Sequence, residues 1–140
     1  MRDQRSVLVV DADSADRTST ATLLESAGYR VLSAAAFDEA KRMLALEAPD
    51  LLVTGLRLGP YNGLHLILRS RSDHPEMAAI VTSRYPDRVL EEEARRQNAG
   101  FVVRPVADDE FLAAVSRSFD VVQASHEIPA SETDIPATAG

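Results

Sequence analysis

The residues best suited to chemistry stand at the ends of short apolar runs. Asp11 and Asp13 follow the run "SVLVV", Thr82 ends "AAIVT", and Arg104 follows "FVV". Carboxylates can hold a hard metal ion, and a guanidinium offers a planar fork of donors to an oxyanion. Gly55 occupies the same place after "DLLVT" and offers no side chain. If the runs are strands of one parallel sheet, these residues meet at its carboxyl edge, where such sheets bind ligands.

Five apolar runs alternate with five segments of helical spacing. The runs are residues 6–10, 29–33, 50–54, 78–82 and 101–103. Short runs without polar alternation are typical of parallel strands that are covered on both faces. Because crossovers between parallel strands are right-handed, this alternation favours an α/β fold with a doubly wound parallel sheet.

Signals for helix ends support the segments between the runs. Asp13 or Ser14 can cap the first helix, and Gly28 can stop it. Asn62 can cap the third helix, and Pro86 stands near the first turn of the fourth. The sequence therefore predicts five strands and five helices.

Composition restricts the function classes. The chain has 140 residues and a net charge of −7, which disfavours a nucleic-acid-binding surface. The lack of cysteine excludes disulfides and thiolate metal sites. An acid interrupts the N-terminal apolar run too early for a secretory signal, and no run approaches the roughly 20 residues that span a bilayer. We expect a cytoplasmic protein with one domain over residues 1–123 and a disordered tail or linker stub over residues 124–140.

Most of the chain, over residues 5–122, resembles the receiver domain of bacterial response regulators in two-component signalling. The matching pieces are "VLVVDAD", "LLESAGYRV", "EAKRML", "APDLLVT", "LRLGPYNGLHLI", "IVTS" and "AGFVVRPVADDEFLAAV". The resemblance implies a flavodoxin-like three-layer sandwich with strand order 2-1-3-4-5. It also implies two adjacent acids for magnesium, an aspartate that accepts phosphate from a histidine kinase, and a hydroxyl and a lysine that report the phosphorylated state.

The chain departs from this family pattern at the site itself. The positions of the phosphorylation pit are Asp11, Ala12, Asp13, Gly55, Arg57, Thr82, Arg104 and Pro105, and the switch positions are Thr82 and Phe101. Ala12 stands at the second acidic position, Gly55 at the phosphoacceptor, and Arg104 in place of the lysine. The resemblance therefore implies a degenerate receiver, or pseudo-receiver, that has no catalytic residue and no phosphoacceptor.

Two side chains of the pit have alternative roles. Asp13 can cap the first helix or supply a carboxylate to a metal ion, and its position before the helix favours the cap. Arg104 can pair with Asp11 in place of a network of metal ion and lysine, or it can extend into solvent. Asp11 and Asp13 are the only candidate metal ligands, and both are weak candidates. We therefore expect no cofactor and weak or absent magnesium binding.

The favoured function is a phosphorylation-independent signalling module that binds proteins and is not an enzyme. Its partner would be a sensor kinase, an output domain or another signalling protein, and we expect no nucleic acid and no membrane. The family resemblance implies an output face on the fourth helix, fifth strand and fifth helix, through which a homodimer could also form. The fourth helix carries mixed charges that can set partner choice, and the i,i+4 spacing predicts the pairs Glu91–Arg95 and Glu92–Arg96.

A rival function uses the same scaffold as a small-anion binder or an enzyme. Arg104, Arg57 and Thr82 would then surround the vacated pit. Asp11 is the only general base that the sequence places beside them, which makes this function the weaker alternative.

Overall fold

The computed structural model describes residues 4–122, in which strands and helices alternate as the apolar runs predict. The elements are β1 (Ser6–Val10), α1 (Ser14–Ser26), β2 (Arg30–Ala34), α2 (Phe37–Leu46), β3 (Leu51–Gly55), β4 (Arg57–Leu58), β5 (Tyr61–Asn62), α3 (Gly63–Asp73), β6 (Ala78–Ser83), α4 (Arg88–Arg96) and β7 (Gly100–Val103). A last helix, α5, covers residues 108–122.

Five strands form one parallel sheet in the order β2-β1-β3-β6-β7. If only these five strands are counted, the order is 2-1-3-4-5, as the family resemblance implies. The prediction of a doubly wound α/β fold with five helices is therefore confirmed. The strand order reverses between β1 and β3, so the carboxyl ends of these two strands open into a crevice.

The sheet is covered on both faces, which explains why its strands are apolar without alternation. In β1, Leu8 and Val10 pack in a cluster with Ile67 of α3. Val7 and Val9 point to the opposite face and pack in a second cluster with Phe111 of α5. Helices α2, α3 and α4 cover the first face, and α1 and α5 cover the second, which gives three layers.

Capping residues fix where the helices begin and end. The Asn62 side chain accepts a hydrogen bond from the backbone N–H of Leu64 at 2.7 Å, which starts α3. Asp87 caps α4 in the same way, and Pro86 lies just before this cap. Gly28 follows α1 with φ of +99°, the left-handed conformation that favours glycine after a helix.

The structure adds a feature that the sequence pattern does not predict. Strands β4 and β5 pair as a short antiparallel hairpin between β3 and α3. Two-residue strands are too short for a hydrophobic period, so no pattern indicates them. Boundaries of several main strands shift by one residue, and Gly55 becomes the last residue of β3.

Two expectations concern the chain beyond this sheet. The tail predicted for residues 124–140 lies outside the described residues. Within residues 4–122, no helix is long and apolar enough to cross a membrane.

Candidate functional site

The carboxyl ends of β1, β3 and β6 surround a cleft of about 240 Å³. The cleft brings together seven of the eight predicted pit residues, namely Asp11, Ala12, Asp13, Gly55, Arg57, Thr82 and Arg104. Pro105 lies in an adjacent groove beside α1. The site also includes Asp16, Arg84 and Tyr85, which the sequence analysis did not single out.

Gly55 lies on the floor of the cleft and faces the Asp11 carboxylate. A Cβ atom added to Gly55 would lie 3.6 Å from the Cγ and both carboxylate oxygens of Asp11, an ordinary van der Waals distance. The φ angle of Gly55 is outside the left-handed region. Neither the backbone nor the packing therefore requires glycine at the position from which a side chain would enter the cleft.

Gly63, next to the site, differs from Gly55 because its packing leaves no room for a side chain. A Cβ atom on Gly63 would overlap the carbonyl oxygen of Gly55 and lie 2.9 Å from the Thr54 hydroxyl. The backbone N–H of Gly63 also donates to the Leu56 carbonyl at 2.8 Å. The start of α3 therefore rests directly on the end of β3, and only glycine leaves room for this close approach.

Asp11 is held at the cleft by its neighbours in the chain. Its Oδ1 accepts a hydrogen bond from the backbone N–H of Asp13 at 3.0 Å, and its carbonyl oxygen accepts one from Arg17 Nη1 at 2.7 Å. Burial is the largest cause that raises the pKa of the Asp11 carboxyl above its ordinary value of 3.8. The Asp13 N–H and the more distant charge of Arg104 lower this pKa by less, while Asp16 raises it further.

Asp13 has the capping role rather than a free carboxylate. Its Oδ1 accepts a hydrogen bond from the backbone N–H of Asp16 at 2.9 Å, which caps α1. Its Oδ2 accepts one from Arg84 Nη2 at 3.4 Å. The pKa of Asp13 is lowered, chiefly because the N–H of Asp16 stabilises the charged form, with Arg84 contributing.

Arg104 takes neither of the two positions that the sequence analysis considered. Its Nη2 donates to the hydroxyl of Thr20 on α1 at 2.7 Å, and its guanidinium lies 5.8 Å from the ring centroid of Phe111. Within the described residues, Arg104 forms no ion pair with Asp11 and does not extend into solvent. The buried hydroxyl of Thr20 offers an acceptor on the second face of the sheet, and the guanidinium turns toward it.

Arg84 is the cation that the sequence analysis missed. It follows β6 directly, and its Nη2 lies 2.5 Å from Asp16 Oδ2 and 3.4 Å from Asp13 Oδ2. The guanidinium thus crosses the mouth of the cleft from the β6–α4 loop to the first turn of α1. The sequence signal for this contact was an acid at the N-cap of α1, a second acid in its first turn, and a basic residue directly after a strand that ends at the same edge of the sheet.

The two switch positions lie in neighbouring strands. Thr82 is buried, with 3% of its surface exposed, and it borders the cleft. Phe101 on β7 is half-buried and packs against the cluster beneath α2, α3 and α4. Val81, next to Thr82, is the register partner of Phe101 across the two strands.

The charged face of α4 differs in detail from the predicted pairing. Arg95 lies 3.8 Å from Glu91, as the i,i+4 spacing predicts, and 3.2 Å from Glu92. The predicted pair Glu92–Arg96 is wrong, because Arg96 binds Glu93 at 2.9 Å instead. These side chains are exposed, so each pair contributes little to stability.

The family of the chain follows from a comparison of its sequence with known proteins. Residues 7–116 match the model of the response regulator receiver domain. The chain belongs to this family. The receiver domain is 30% identical to the alginate biosynthesis transcriptional regulatory protein AlgB of Pseudomonas putida over 94% of the chain, and 37% identical to the transcriptional regulatory protein FixJ of Azorhizobium caulinodans over 80%.

Solved structures show the same fold. The receiver domain superposes on a CheY-like receiver domain protein from Methanospirillum hungatei with a TM-score of 0.79 and 24% identity, covering 87% of this chain and 98% of the other. The curated relatives are longer, since the chain spans 30% of AlgB and 54% of FixJ.

The residues of this receiver domain do not fit the magnesium ion that the family implies. Ala12 has no oxygen in its side chain, and Gly55 has no side chain. The two oxygens of Asp13 accept hydrogen bonds from the α1 backbone and from Arg84. No group of three or more acidic or histidine side chains placed to hold a metal ion occurs within the described part of the chain. Asp11 alone is a poor site for an ion that prefers six oxygen ligands.

Proposed function

We propose that this receiver domain acts in two-component signalling without being phosphorylated, and that it signals by binding other proteins. The observation that carries the proposal is Gly55. This residue lies at the phosphoacceptor position and faces Asp11, a Cβ atom there would meet Asp11 only at an ordinary van der Waals distance, and its backbone is one that any residue could adopt. Glycine is therefore not kept for the fold, and its effect is to leave the cleft without a nucleophilic carboxylate.

Other groups at the cleft do not replace that nucleophile. The Thr54 hydroxyl is fully buried and donates to the Gly55 carbonyl at 2.9 Å. The Ser83 hydroxyl donates to the Tyr85 carbonyl at 2.8 Å. Thr82 borders the cleft, but no carboxylate or imidazole of the described residues hydrogen-bonds to its hydroxyl. An alcohol without an adjacent base is a weak nucleophile.

The binding surface we propose consists of α4, β7 and α5, as the family resemblance suggests. Helix α4 carries three consecutive acids followed by two arginines near its C-terminal end, so it presents both signs of charge. Such a surface can select a partner through complementary charge. We propose a cytoplasmic, non-enzymatic role in which a sensor kinase, an output domain, another signalling protein or a second copy of the chain occupies this surface.

The rival function, small-anion binding or catalysis around Arg104, has less support from the geometry. Arg104 is engaged by Thr20, and Arg84 is engaged by two acids. Arg57 is the exposed cation left at the cleft among the described residues. The surface-binding role is therefore the one we retain.

Thermal unfolding in increasing magnesium tests the proposed state of the site. We expect the melting temperature of the wild-type chain to stay constant. The variant Ala12→Asp/Gly55→Asp would place three carboxylates around the cleft, counting Asp11, and would be destabilised by their repulsion at low magnesium and neutral pH. Its melting temperature should rise with the logarithm of the ion concentration, because the folded state binds the ion selectively.

The single variant Gly55→Asp is the matched control, and it should respond weakly because Ala12 still supplies no ligand. A rise for the wild-type chain equal to that of the double variant would contradict the proposal. It would mean that Asp13 leaves its capping position and supplies the missing carboxylate.

A further inference from the structure

We infer that two arginines from outside α4, Arg71 at its C-terminal end and Arg84 at its N-terminal end, hold this helix in one position. The consequence of these contacts would be that the α4 surface is always presented to partners. Only this consequence rests on the proposed function. The Arg71 contact lies outside the cleft, whereas the Arg84 contact is made with two acids that line it.

Helix α4 is weakly anchored by its own core contacts. Ala94 is its only fully buried residue, and Leu90 is half-buried against the cluster beneath the helix. Val89 is 76% exposed, and the remaining side chains are mostly charged. A helix that buries one small side chain gains little from packing, so contacts at its ends have a large share in fixing its position.

Arg71 binds the C-terminal end of α4 from α3. Its Nε donates to the Met77 carbonyl at 2.8 Å, its Nη2 donates to the Asn98 carbonyl at 3.2 Å, and its Nη1 donates to the Gln97 carbonyl. The last carbonyls of a helix lack partners within the helix. One rigid guanidinium therefore joins the end of α4 to the start of β6.

The environment of Arg71 makes this contact a structural one. The side chain is largely buried, and burial lowers the pKa of its guanidinium. Backbone carbonyls are its partners within the described residues, and no ion pair with a carboxylate is formed. Arginine is suited to this position because its planar fork reaches several carbonyls at once, which a lysine ammonium does not.

Arg84 binds the chain just before α4 to the opposite side of the cleft. Its guanidinium contacts Asp16 in the first turn of α1 at 2.5 Å and the N-cap residue Asp13 at 3.4 Å. Only three residues separate Arg84 from Arg88, the first residue of α4. The loop that enters α4 is therefore fixed to α1, while the far end of the helix is fixed to α3.

Hydrogen exchange of the full chain, followed by mass spectrometry, tests this inference. In Arg84→Ala, exchange of the backbone amides over residues 84–92 should rise by about two- to fivefold, the factor expected from the loss of partly exposed ion pairs. The control is Arg88→Ala, which removes an exposed arginine with no ion pair to the described residues. Equal exchange in the two variants would overturn the inference for the N-terminal end.

The C-terminal end has its own test. Arg71→Lys keeps the charge and loses the fork, so exchange over residues 95–99 should rise while the rest of the sheet stays protected. High salt should raise exchange over residues 84–92 of the wild-type chain and leave residues 95–99 unchanged, because salt screens exposed ion pairs more than buried hydrogen bonds. Unchanged exchange over residues 95–99 in Arg71→Lys would overturn the inference for this end.

The exchange results are distinguishable from the outcome for the proposed function. Phosphorylation of the wild-type chain would contradict the proposed function, and it would leave in place the Arg71 contact, which lies outside the cleft. Loss of the exchange effects would contradict the contacts and leave the absence of a phosphoacceptor unchanged.

Discussion

Asp11 keeps a carboxylate at the cleft although the position beside it is alanine and the position across from it is glycine. Burial raises the pKa of this carboxyl, and the neighbouring Asp16 raises it further. For an acid whose pKa is higher in the folded than in the unfolded chain, the charged form costs stability at every pH above the unfolded value. Asp11 is therefore kept at a cost to the fold at neutral pH.

Replacement of Asp11 tests this cost. Asp11→Asn should be more stable than the wild-type chain at pH 7, because the amide carries no charge and can still accept the Asp13 N–H at Oδ1. The advantage should shrink as the pH falls and vanish below the ordinary pKa of 3.8, where both folded and unfolded wild-type chains are protonated. Urea unfolding at several pH values measures this difference in the free energy of unfolding.

The exposed residue Asp120 on α5 provides the control. Asp120→Asn should change stability little across the same range, since an exposed carboxylate without burial costs the fold little. Lower stability of Asp11→Asn at pH 7 would show that Arg104 or Arg17 stabilises the Asp11 charge more than burial opposes it.

Sequence reasoning succeeded at this scale where a role depends on local position, and failed where it depends on distant partners. The capping role of Asp13 follows from its place directly before a helical segment. The partner of Arg104 is Thr20, 84 positions away, and the partners of Arg84 lie 68 and 71 positions away. Several polar groups surround the cleft. Side-chain packing decides which of them each arginine binds, and the spacing of residues in the sequence does not reveal that packing.

At the scale of elements, the junction between β3 and α3 contains two glycines that differ in whether the fold requires them. Packing requires glycine at position 63 and does not require it at position 55. Gly63→Ala should destabilise the fold by about 1–3 kcal/mol, since its Cβ would overlap the Gly55 carbonyl and the backbones would have to separate. Gly55→Ala should be neutral or stabilise by about 0.4–1 kcal/mol, because the new methyl group meets the Asp11 carboxylate only at an ordinary van der Waals distance of 3.6 Å and the unfolded chain loses freedom. Urea denaturation of the two variants measures this contrast.

The matched pair makes the result decisive, since both substitutions add one methyl group within the same junction. Destabilisation of Gly55→Ala as large as that of Gly63→Ala would show that glycine at position 55 is required by the fold. The inference that Gly55 matters only for the chemistry of the cleft would then be wrong.

The strands and helices were predictable because each has a local pattern. Apolar runs without alternation indicate strands buried on both faces, and β1 and β3 are buried along their full length. Capping residues such as Asn62 and Asp87 set the helix starts. The β4–β5 hairpin has two-residue strands and no such pattern, and its position depends on the packing of Tyr61 against Phe37, whose rings stack 4.6 Å apart.

At the scale of the molecule, the chain has the five-stranded sheet of the family fold but fewer acidic residues at the site, since Ala12 and Gly55 stand at acidic positions. Both core clusters are continuous across the sheet, and the strand order and the family match agree. Fold and function are separable, so a glycine at the phosphoacceptor position need not affect the surface that we propose for partner binding. The two arginine contacts at α4 give a structural reason why this surface could persist without a phosphate signal.

The measurement that tests phosphorylation independence most directly is the intact mass of the wild-type chain after incubation with acetyl phosphate and magnesium. We predict an unchanged mass, because Gly55 offers no acceptor and no carboxylate or imidazole of the described residues hydrogen-bonds to the hydroxyls of the cleft. A mass increase of one phosphoryl group, mapped by peptide analysis to a residue of the cleft such as Thr82 or Asp11, would contradict the proposed function.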